Sequence, residues 1–255
     1  VWSEPAHWSM ALLDSTDWKA QWIGIDSALN ATDVINDART RLAARYLRKE
    51  FPVDGTITSA KLYISGLGMY ECYLNGSQIG EGNIFAPTIS DYTKCVYYNT
   101  FDVTDKLQKG ENTIGVILGN GRFFSMRMIT KETMPGAVVP SLTHYGFPKL
   151  LAQLEITYKD GKQEIITSDD SWKLTTNGPI IANNEFDGEV YDARLEMKDW
   201  NKNGCDDNAW MQTKIVGAPQ GVLTAQTNPN IKTMETITPV AINQLNDSTL
   251  ILDMG

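Results

Sequence analysis

Apolar and polar residues alternate with a period of two over much of this sequence. In the stretch TSAKLYISGLGMYECYLNGSQIG, Leu62 and Ile64 are flanked by polar or small residues, and after two glycines the alternation resumes at Tyr70, Cys72 and Leu74. Successive side chains of a strand point to opposite faces of a sheet, so this period is typical of strands with one buried face. The pattern predicts two consecutive strands with a bend between them.

The second strand is followed by Asn75-Gly76, the residue pair that favours a type I′ turn, and SQIG then begins a returning strand. Further runs of strand length are bounded by Gly, Asn or Asp: CVYYNTFDVT, NTIGVILG, KLLAQLEITY and QEIITSDDSWKL. The segment DVINDARTRLAA has helical spacing but is short and poorly capped, so we expect a loop there. Repeated short strands without a convincing helix predict an all-β jelly-roll β-sandwich over residues 43–215.

The two ends of the chain fall outside that sandwich. Residues 1–42 are predicted to be a linker, with four tryptophans in the first 22 positions that are suited to pin it to a neighbouring domain: Trp2, Trp8, Trp18 and Trp22. Residues 216–255 contain two more strand-like runs. Because a lone hairpin is marginally stable, we expect these strands either to dock on the sandwich or to begin a second β-sandwich.

Composition narrows the class of partner. The formal net charge is −9, and no run of Lys or Arg is present. Nucleic acids and anionic membranes both require a positive surface, so the charge argues against them and favours an uncharged ligand or another protein. No apolar stretch approaches the length of a membrane helix, and VWSEPAHWSM lacks the regions of a signal peptide.

The cysteines, histidines and glycine-rich loops show no pattern of a catalytic or metal site. The three cysteines (Cys72, Cys95 and Cys205) are too few and too scattered for a disulfide framework or a zinc site. Cys72 and Cys95 lie in apolar strand-like runs, so buried free thiols are expected, with a single disulfide as the alternative. His7 and His144 have no partner pattern for a metal or for nucleophilic catalysis. GNGRFF lacks the helix and Lys-Ser/Thr pair of a phosphate loop, so a turn is expected there.

The stretch EFDGEVYDAR places several acids close together, as the active site of a glycoside hydrolase requires. If GEVYDAR is one strand, Glu189 and Tyr191 project from one face, and Asp192 and Arg194 from the other. Glu189 and Asp192 then lie on opposite faces, which argues against a catalytic pair. The interpretation favoured here is that Asp192 and Arg194 form a salt bridge or hold a domain junction. No catalytic residue and no metal ligand is assigned.

Several stretches, in this order and spacing, resemble the N-terminal region of bacterial α-L-rhamnosidases of glycoside hydrolase family 78: DWKAQWIG, RYLRKEF, AKLYISGLGMYECYLNG, FDVTDKLQKGENTIGVILGNG, LLAQLEITYKDG, SDDSWK and GEVYDARLE. YLNG and FDVTDKLQKGENTIGV are shared with galactose-binding-like jelly rolls, including the sugar-binding domains of β-galactosidase-like enzymes. Members commonly have Trp after the GNG turn, where this chain has Arg122.

The resemblance implies a larger enzyme around this region. In that family an immunoglobulin-like domain often precedes it, and residues 1–42 would contain the end of that domain, with VWSEPA in its last strand. Another β domain follows, to which residues 216–255 would contribute the first strands. The catalytic carboxylates would lie on a downstream α/α barrel that this sequence does not contain. The implied parent hydrolyses terminal α-L-rhamnose and is expected to be secreted or periplasmic.

The segment from Arg122 to Tyr145 lies between two predicted strands and is too long for a hairpin turn. Long loops in compact domains are usually functional or disordered, and sugars are bound by aromatic faces with a few polar groups. Candidate contacts are therefore Arg122, Phe124, Arg127 and Tyr145, either for a rhamnose-containing carbohydrate or for the catalytic barrel.

The two hypotheses for the function of this chain are an accessory carbohydrate-binding region and a scaffold without sugar binding. No cofactor is assigned; acidic SDDSWK and NKNGCDDNAW leave calcium as an alternative.

Overall fold

A computed structural model describes residues 11–27, 41–80, 82–125 and 145–255. Three short 3₁₀ turns lie at Ser15–Asp17, Thr104–Lys106 and Ala193–Leu195. The first ten strands are β1 (Ile23–Gly24), β2 (Arg45–Val53), β3 (Ile57–Leu67), β4 (Met69–Leu74), β5 (Ser77–Gln78), β6 (Asn83–Phe85), β7 (Cys95–Asp102), β8 (Gly110–Gly119), β9 (Lys149–Tyr158) and β10 (Gln163–Thr167). They are followed by β11 (Lys173–Thr175), β12 (Ile180–Asn184), β13 (Gly188–Tyr191), β14 (Met211–Gln212), β15 (Lys214–Ile215), β16 (Val222–Ala225), β17 (Ile231–Lys232), β18 (Ala241–Asn246) and β19 (Thr249–Asp253).

Two large sheets form the body of the molecule. The first has the order β15-β1-β9-β3-β7-β16, with β10 also paired to β9. The second has the order β14-β11-β2-β8-β4-β5. The long central pairs are antiparallel, and β16 runs parallel to β7. The predicted all-β sandwich is confirmed.

The main core lies between these sheets and uses the side chains that the alternation marks as apolar. Leu62 and Ile64 of β3 are fully buried, and Cys72 and Leu74 of β4 are at most 1% exposed. They belong to one hydrophobic cluster with residues of β2, β8 and β9. Burying one such side chain contributes roughly 1.5–3 kcal/mol. The period of two therefore predicts the core-facing residues of both strands correctly, but in β3 the opposite face is also buried, at Tyr63 and Ser65.

The turn between β4 and β5 has the predicted geometry. Asn75 and Gly76 both have positive φ, 51° and 83°, as a type I′ turn requires. The Asn75 side chain also donates to Asn112 Oδ1 at 2.8 Å and accepts from the Thr113 amide at 2.9 Å. The hairpin is thus tied to β8 as well as closed on itself.

The segment before β2 packs on the first sheet. Trp18 contacts Tyr63 and Tyr98 edge-on, with ring centroids 6.2 and 5.1 Å apart, and Trp22 is buried. Strand β1 pairs with both β9 and β15. Trp2 and Trp8 lie outside the described residues, as does most of DVINDARTRLAA.

The segment after β15 pairs first with the sandwich and then forms a separate hairpin. Strand β16 extends the first sheet, and β17 pairs with β6 in a separate two-stranded ribbon. Strands β18 and β19 form a hairpin whose residues are mostly exposed, including Leu245 and Leu252. Strands on both sides of residues 43–215 thus pair into the sheets, while the domain boundaries stay a prediction.

The outer face of the second sheet is partly covered by residues 193–210. Trp200 packs edge-on against Tyr46 and Tyr73 and lies over Gly115, where a Cβ would come within 2.9 Å of its ring. The buried Arg48 forms ion pairs with Glu50 and Asp207. This covering leaves the face near β4 and the end of β8 open.

The three cysteines are free thiols; Cys72 is buried, whereas Cys95 and Cys205 are partly exposed. Within the described ranges, no helix has the length and apolar character needed to cross a membrane. In the same part of the chain, no group of three or more His, Cys, Asp or Glu side chains is arranged to hold a metal ion.

Candidate functional site

An open groove of about 430 Å³ lies on the uncovered part of the second sheet. It is bounded by β4, β6, the end of β8 and the hairpin β12–β13. Its apolar surface is supplied by Met69, Ile84, Phe85, Ile117 and Ile180. Ile84 is 48% exposed and Phe85 is 43% exposed, so the groove offers apolar surface that the fold does not use. A groove of this size and character is suited to a small ligand with one apolar side.

Polar groups line the same groove: Glu71, Asn183, Asn184, Glu185 and Glu189. The Tyr73 hydroxyl donates to Glu71 Oε2 at 2.6 Å, which orients this carboxylate. Burial raises the pKa of Tyr46 to about 12, and the negative charges of Glu196, Glu189 and Glu71 add to the shift. Carboxylates and amides that converge on an apolar surface are the groups that bind sugar hydroxyls.

The hairpin β12–β13 is tied to the end of β8 through Asn183. The Asn183 Oδ1 accepts from the Asn120 amide at 2.7 Å, and the Asn120 side chain donates to Leu42 O at 2.8 Å. A Cβ at Gly119 would come within 2.9 Å of Asn183 Oδ1, so only glycine allows this approach without a shift. These contacts hold one wall of the groove in place.

Arg122 lies at the rim of the groove. Its Nε and Nη2 donate to Glu185 Oε2 and Oε1, both at 2.8 Å, and its guanidinium lies 5.9 Å from the Phe186 ring centroid. Tyr145 is 47% exposed and packs against Tyr92 at 5.1 Å between ring centroids. Burial raises the pKa of Tyr92, and the charge of Glu185 adds to the shift while that of Arg122 opposes it. Arg122, Glu185 and Tyr145 thus all lie near Tyr92.

The other two candidate contacts differ in placement. Phe124 is fully buried and stacks on Phe147, with ring centroids 5.4 Å apart. Its ring has no exposed surface for a ligand, so Phe124 supports the fold. Arg127 lies outside the described residues.

Comparison with known families identifies the sandwich. Residues 55–235 match the model of the alpha-L-rhamnosidase N-terminal domain. The chain belongs to the α-L-rhamnosidase N-terminal domain family. The resemblance carried by GEVYDAR and the accompanying motifs is thereby confirmed.

Relatives of this N-terminal domain are much longer than the chain itself. An alpha-L-rhamnosidase of Alteromonas sp. (strain LOR) is 35% identical over 257 residues, which cover 100% of this chain and 26% of that protein. One from Formosa agariphila is 34% identical, with 100% and 27% covered. The chain therefore spans about a quarter of the length of these relatives.

Solved structures agree with the family. A structure of alpha-L-rhamnosidase from Dictyoglumus thermophilum has a TM-score of 0.77 and 34% identity, covering 95% of this chain and 26% of that one. The alpha-L-rhamnosidase of Streptomyces avermitilis, complexed with L-rhamnose, has a TM-score of 0.71 and 32% identity, covering 84% and 20%.

The signature stretch of this rhamnosidase N-terminal domain does not form one continuous strand. Strand β13 ends at Tyr191, and Asp192 caps the following 3₁₀ turn by accepting from the Arg194 amide at 3.1 Å. The Arg194 guanidinium also donates to Asp192 Oδ1 and Oδ2 at 2.8 and 2.6 Å. The predicted ion pair is present, but a capped turn brings its partners together because Asp favours such caps. Glu189 lines the groove, and Tyr191 is exposed.

Sequence reasoning missed Glu71 and Phe85. The signal for Glu71 was its place in β4 between the buried Tyr70 and Cys72, which marks it as a residue of the opposite face. No local pattern marks Phe85, because β6 is three residues long and pairs with β17 from far along the chain.

Proposed function

We propose that this chain is an accessory, carbohydrate-binding N-terminal region of an α-L-rhamnosidase, and that its groove binds a terminal α-L-rhamnose. The observation that carries the proposal is the groove itself, where the exposed side chains of Ile84 and Phe85 face the same space as Glu71 and Glu189. A 6-deoxy sugar such as rhamnose carries a methyl group and several hydroxyl groups. The apolar surface suits the methyl group, and the carboxylates suit the hydroxyls as acceptors.

The names of the relatives support rhamnose as the sugar class. Several full-length relatives are alpha-L-rhamnosidases, and one similar structure was solved with L-rhamnose. In this proposal a downstream catalytic α/α barrel of the parent performs the hydrolysis, and the present residues hold the rhamnose-containing carbohydrate near it.

The test is isothermal titration of the chain with L-rhamnose and with rhamnose-containing pectin fragments, with and without calcium. We expect saturable binding of the sugar by the unsubstituted chain. Binding is expected to be lost in Glu71→Gln and Glu189→Gln, because the amide keeps one acceptor oxygen and replaces the other by a nitrogen that donates. Glu111→Gln is the matched control, since Glu111 is exposed at the far end of β8. Absence of binding by the unsubstituted chain would reject the proposal.

A second candidate is a scaffold that buttresses the barrel and binds no sugar. It is favoured by the exposed apolar side chains of β18 and β19, among them Leu245 and Leu252. Absence of any heat of binding in the titration would favour this scaffold function. Release of p-nitrophenol from its α-L-rhamnoside by the purified chain would contradict both candidates, because neither assigns a catalytic residue here.

A further inference from the structure

One wall of the groove depends on a distant segment of the chain. Ile84 and Phe85 line the groove from β6, and in the described residues the strand partner of β6 is β17, with Ile231 opposite Phe85. Hydrogen bonds from the Tyr70 amide to Ala86 O and from the Asn83 amide to Gly80 O hold the two ends of β6. Between them β6 is one half of a two-stranded ribbon, which is marginally stable by itself, so the position of Ile84 and Phe85 also depends on how firmly β17 is held.

The segment that holds β17 comprises residues 226–233, here named the linker strap. Gln226 anchors its start: the side-chain oxygen accepts from the Thr88 amide at 2.8 Å, and the side-chain nitrogen donates to Asn230 Oδ1 at 2.8 Å. The Thr233 amide donates to Gly82 O at 2.8 Å and anchors its end, next to β6.

A second path from the linker strap to the groove runs through the sandwich interior. Asn99, which is buried, donates from Nδ2 to Asn230 Oδ1 at 3.3 Å. Its Oδ1 accepts from the Tyr70 hydroxyl at 2.7 Å, and Tyr70 is itself a groove-lining residue. Asn230 thus accepts hydrogen bonds from both Gln226 and Asn99 and stands one residue before β17.

We propose that Asn230 is a positioning residue for the groove, and that order in the linker strap and ligand binding stabilise each other. The sugar as ligand rests on the function proposed above. Both effects act through β6: the strap holds Ile84 and Phe85 in place, and a ligand that contacts them favours the paired ribbon. By linkage, the free energy by which an ordered strap favours ligand binding equals the free energy by which the bound ligand favours the ordered strap.

The first arm of the test requires no sugar. Hydrogen exchange of the backbone amides of residues 83–85 is measured in the unsubstituted chain, in Asn230→Ala and in Gln226→Ala. We expect these amides to exchange faster in both variants, while the amides of the central strand β9 exchange at an unchanged rate. Gln244→Ala is the matched control, because Gln244 lies outside the linker strap, in exposed β18, and its side chain donates to Asn246 O in the same hairpin. Unchanged exchange in Asn230→Ala and Gln226→Ala would overturn the proposal.

The second arm measures rhamnose affinity and its reciprocal effect. We expect Asn230→Ala to bind about fivefold more weakly, as removal of one acceptor of two hydrogen bonds implies, with Gln244→Ala unchanged. Saturating rhamnose is expected to slow amide exchange in the linker strap of the unsubstituted chain. Unchanged affinity in Asn230→Ala, or no slowing, would overturn the coupling. If the unsubstituted chain binds no rhamnose, the sugar site and its coupling both fail, while the first arm still decides whether the strap positions β6.

Discussion

Arg122 and Glu185, which are 63 residues apart in sequence, are joined by two parallel hydrogen bonds of 2.8 Å. Arg122 lies in the turn after β8, and Glu185, which lines the groove, follows β12, so the pair joins these two segments at the rim of the groove. The positive charge of Arg122 at the rim is therefore neutralised by the carboxylate of Glu185.

Truncation of this pair tests how much it contributes to the fold. Arg122 is 44% exposed and Glu185 22%, so solvent screens their attraction. We expect Arg122→Ala and Glu185→Ala to show a coupling free energy of about 0.5–1 kcal/mol in a double-mutant cycle measured by urea unfolding. A coupling near zero would mean that the two-point geometry does not persist in solution.

Replacement of Phe85 by alanine tests the apolar surface of the groove. We expect Phe85→Ala to weaken rhamnose binding about tenfold, because stacking on the sugar ring is lost. The unfolding midpoint is expected to change little, since the ring is 43% exposed. Ile165→Ala is the control, because Ile165 is equally exposed but lies on β10, away from the groove. Equal affinities in the two variants would contradict the assigned role of Phe85.

A methyl group at residue 119 tests the anchoring of the hairpin β12–β13. In Gly119→Ala the new Cβ would lie 2.9 Å from Asn183 Oδ1, which accepts from the Asn120 amide. We expect a loss of about 1–2 kcal/mol in the free energy of unfolding, since this hydrogen bond must lengthen or break. Gly217→Ala has nothing within 4 Å of its Cβ and serves as control. A Gly119→Ala variant as stable as the control would show that Asn183 relaxes without cost.

The pH dependence of stability tests the ion pairs that Asp207 forms with Arg48 and Lys173. Burial alone would raise the pKa of Asp207, but the hydrogen bond from Lys173 and the charge of Arg48 outweigh it, so the pKa lies below its usual value of 3.8. A carboxyl whose pKa is lowered on folding stabilises the folded state above its unfolded pKa and loses that contribution as the pH falls through its folded pKa.

We therefore expect the free energy of unfolding to decrease as the pH falls below about 4, and the decrease to be shallower in Asp207→Asn. Urea unfolding between neutral pH and the lowest pH at which the chain stays folded measures both slopes. The control is Asp247→Asn in the exposed turn between β18 and β19. Identical slopes for Asp207→Asn and the unsubstituted chain would contradict a lowered pKa for Asp207.

Much of the fold was predictable because its determinants are local. Period-two alternation identified the buried sides of β3 and β4, and Asn75-Gly76 identified the turn to β5. The same reasoning failed where a strand stops, since the strand hypothesis for GEVYDAR did not anticipate the cap at Asp192. A cap competes with strand continuation through a side-chain contact, which the hydrophobic pattern does not register.

The candidate site was less predictable. Residue type and loop length predict Arg122 and Tyr145 as contact residues, and both lie near Tyr92, with Arg122 paired to Glu185. The same grounds predict Phe124, yet its ring stacks on Phe147 in the interior, because an apolar ring next to a turn is equally suited to burial or exposure. Exposure of such a ring depends on which other segments cover it.

The sequence by itself determined the all-β class, the buried face of the central strands, one turn type and the family, because these depend on neighbouring residues and on ordered motifs. Only the tertiary structure decided where the groove lies. Its walls come from β4, β6, β8 and the hairpin β12–β13, and the pairing of β6 with β17 joins residues nearly 150 positions apart. Such contacts form when folding buries the apolar surface of the two sheets, and no local pattern specifies them.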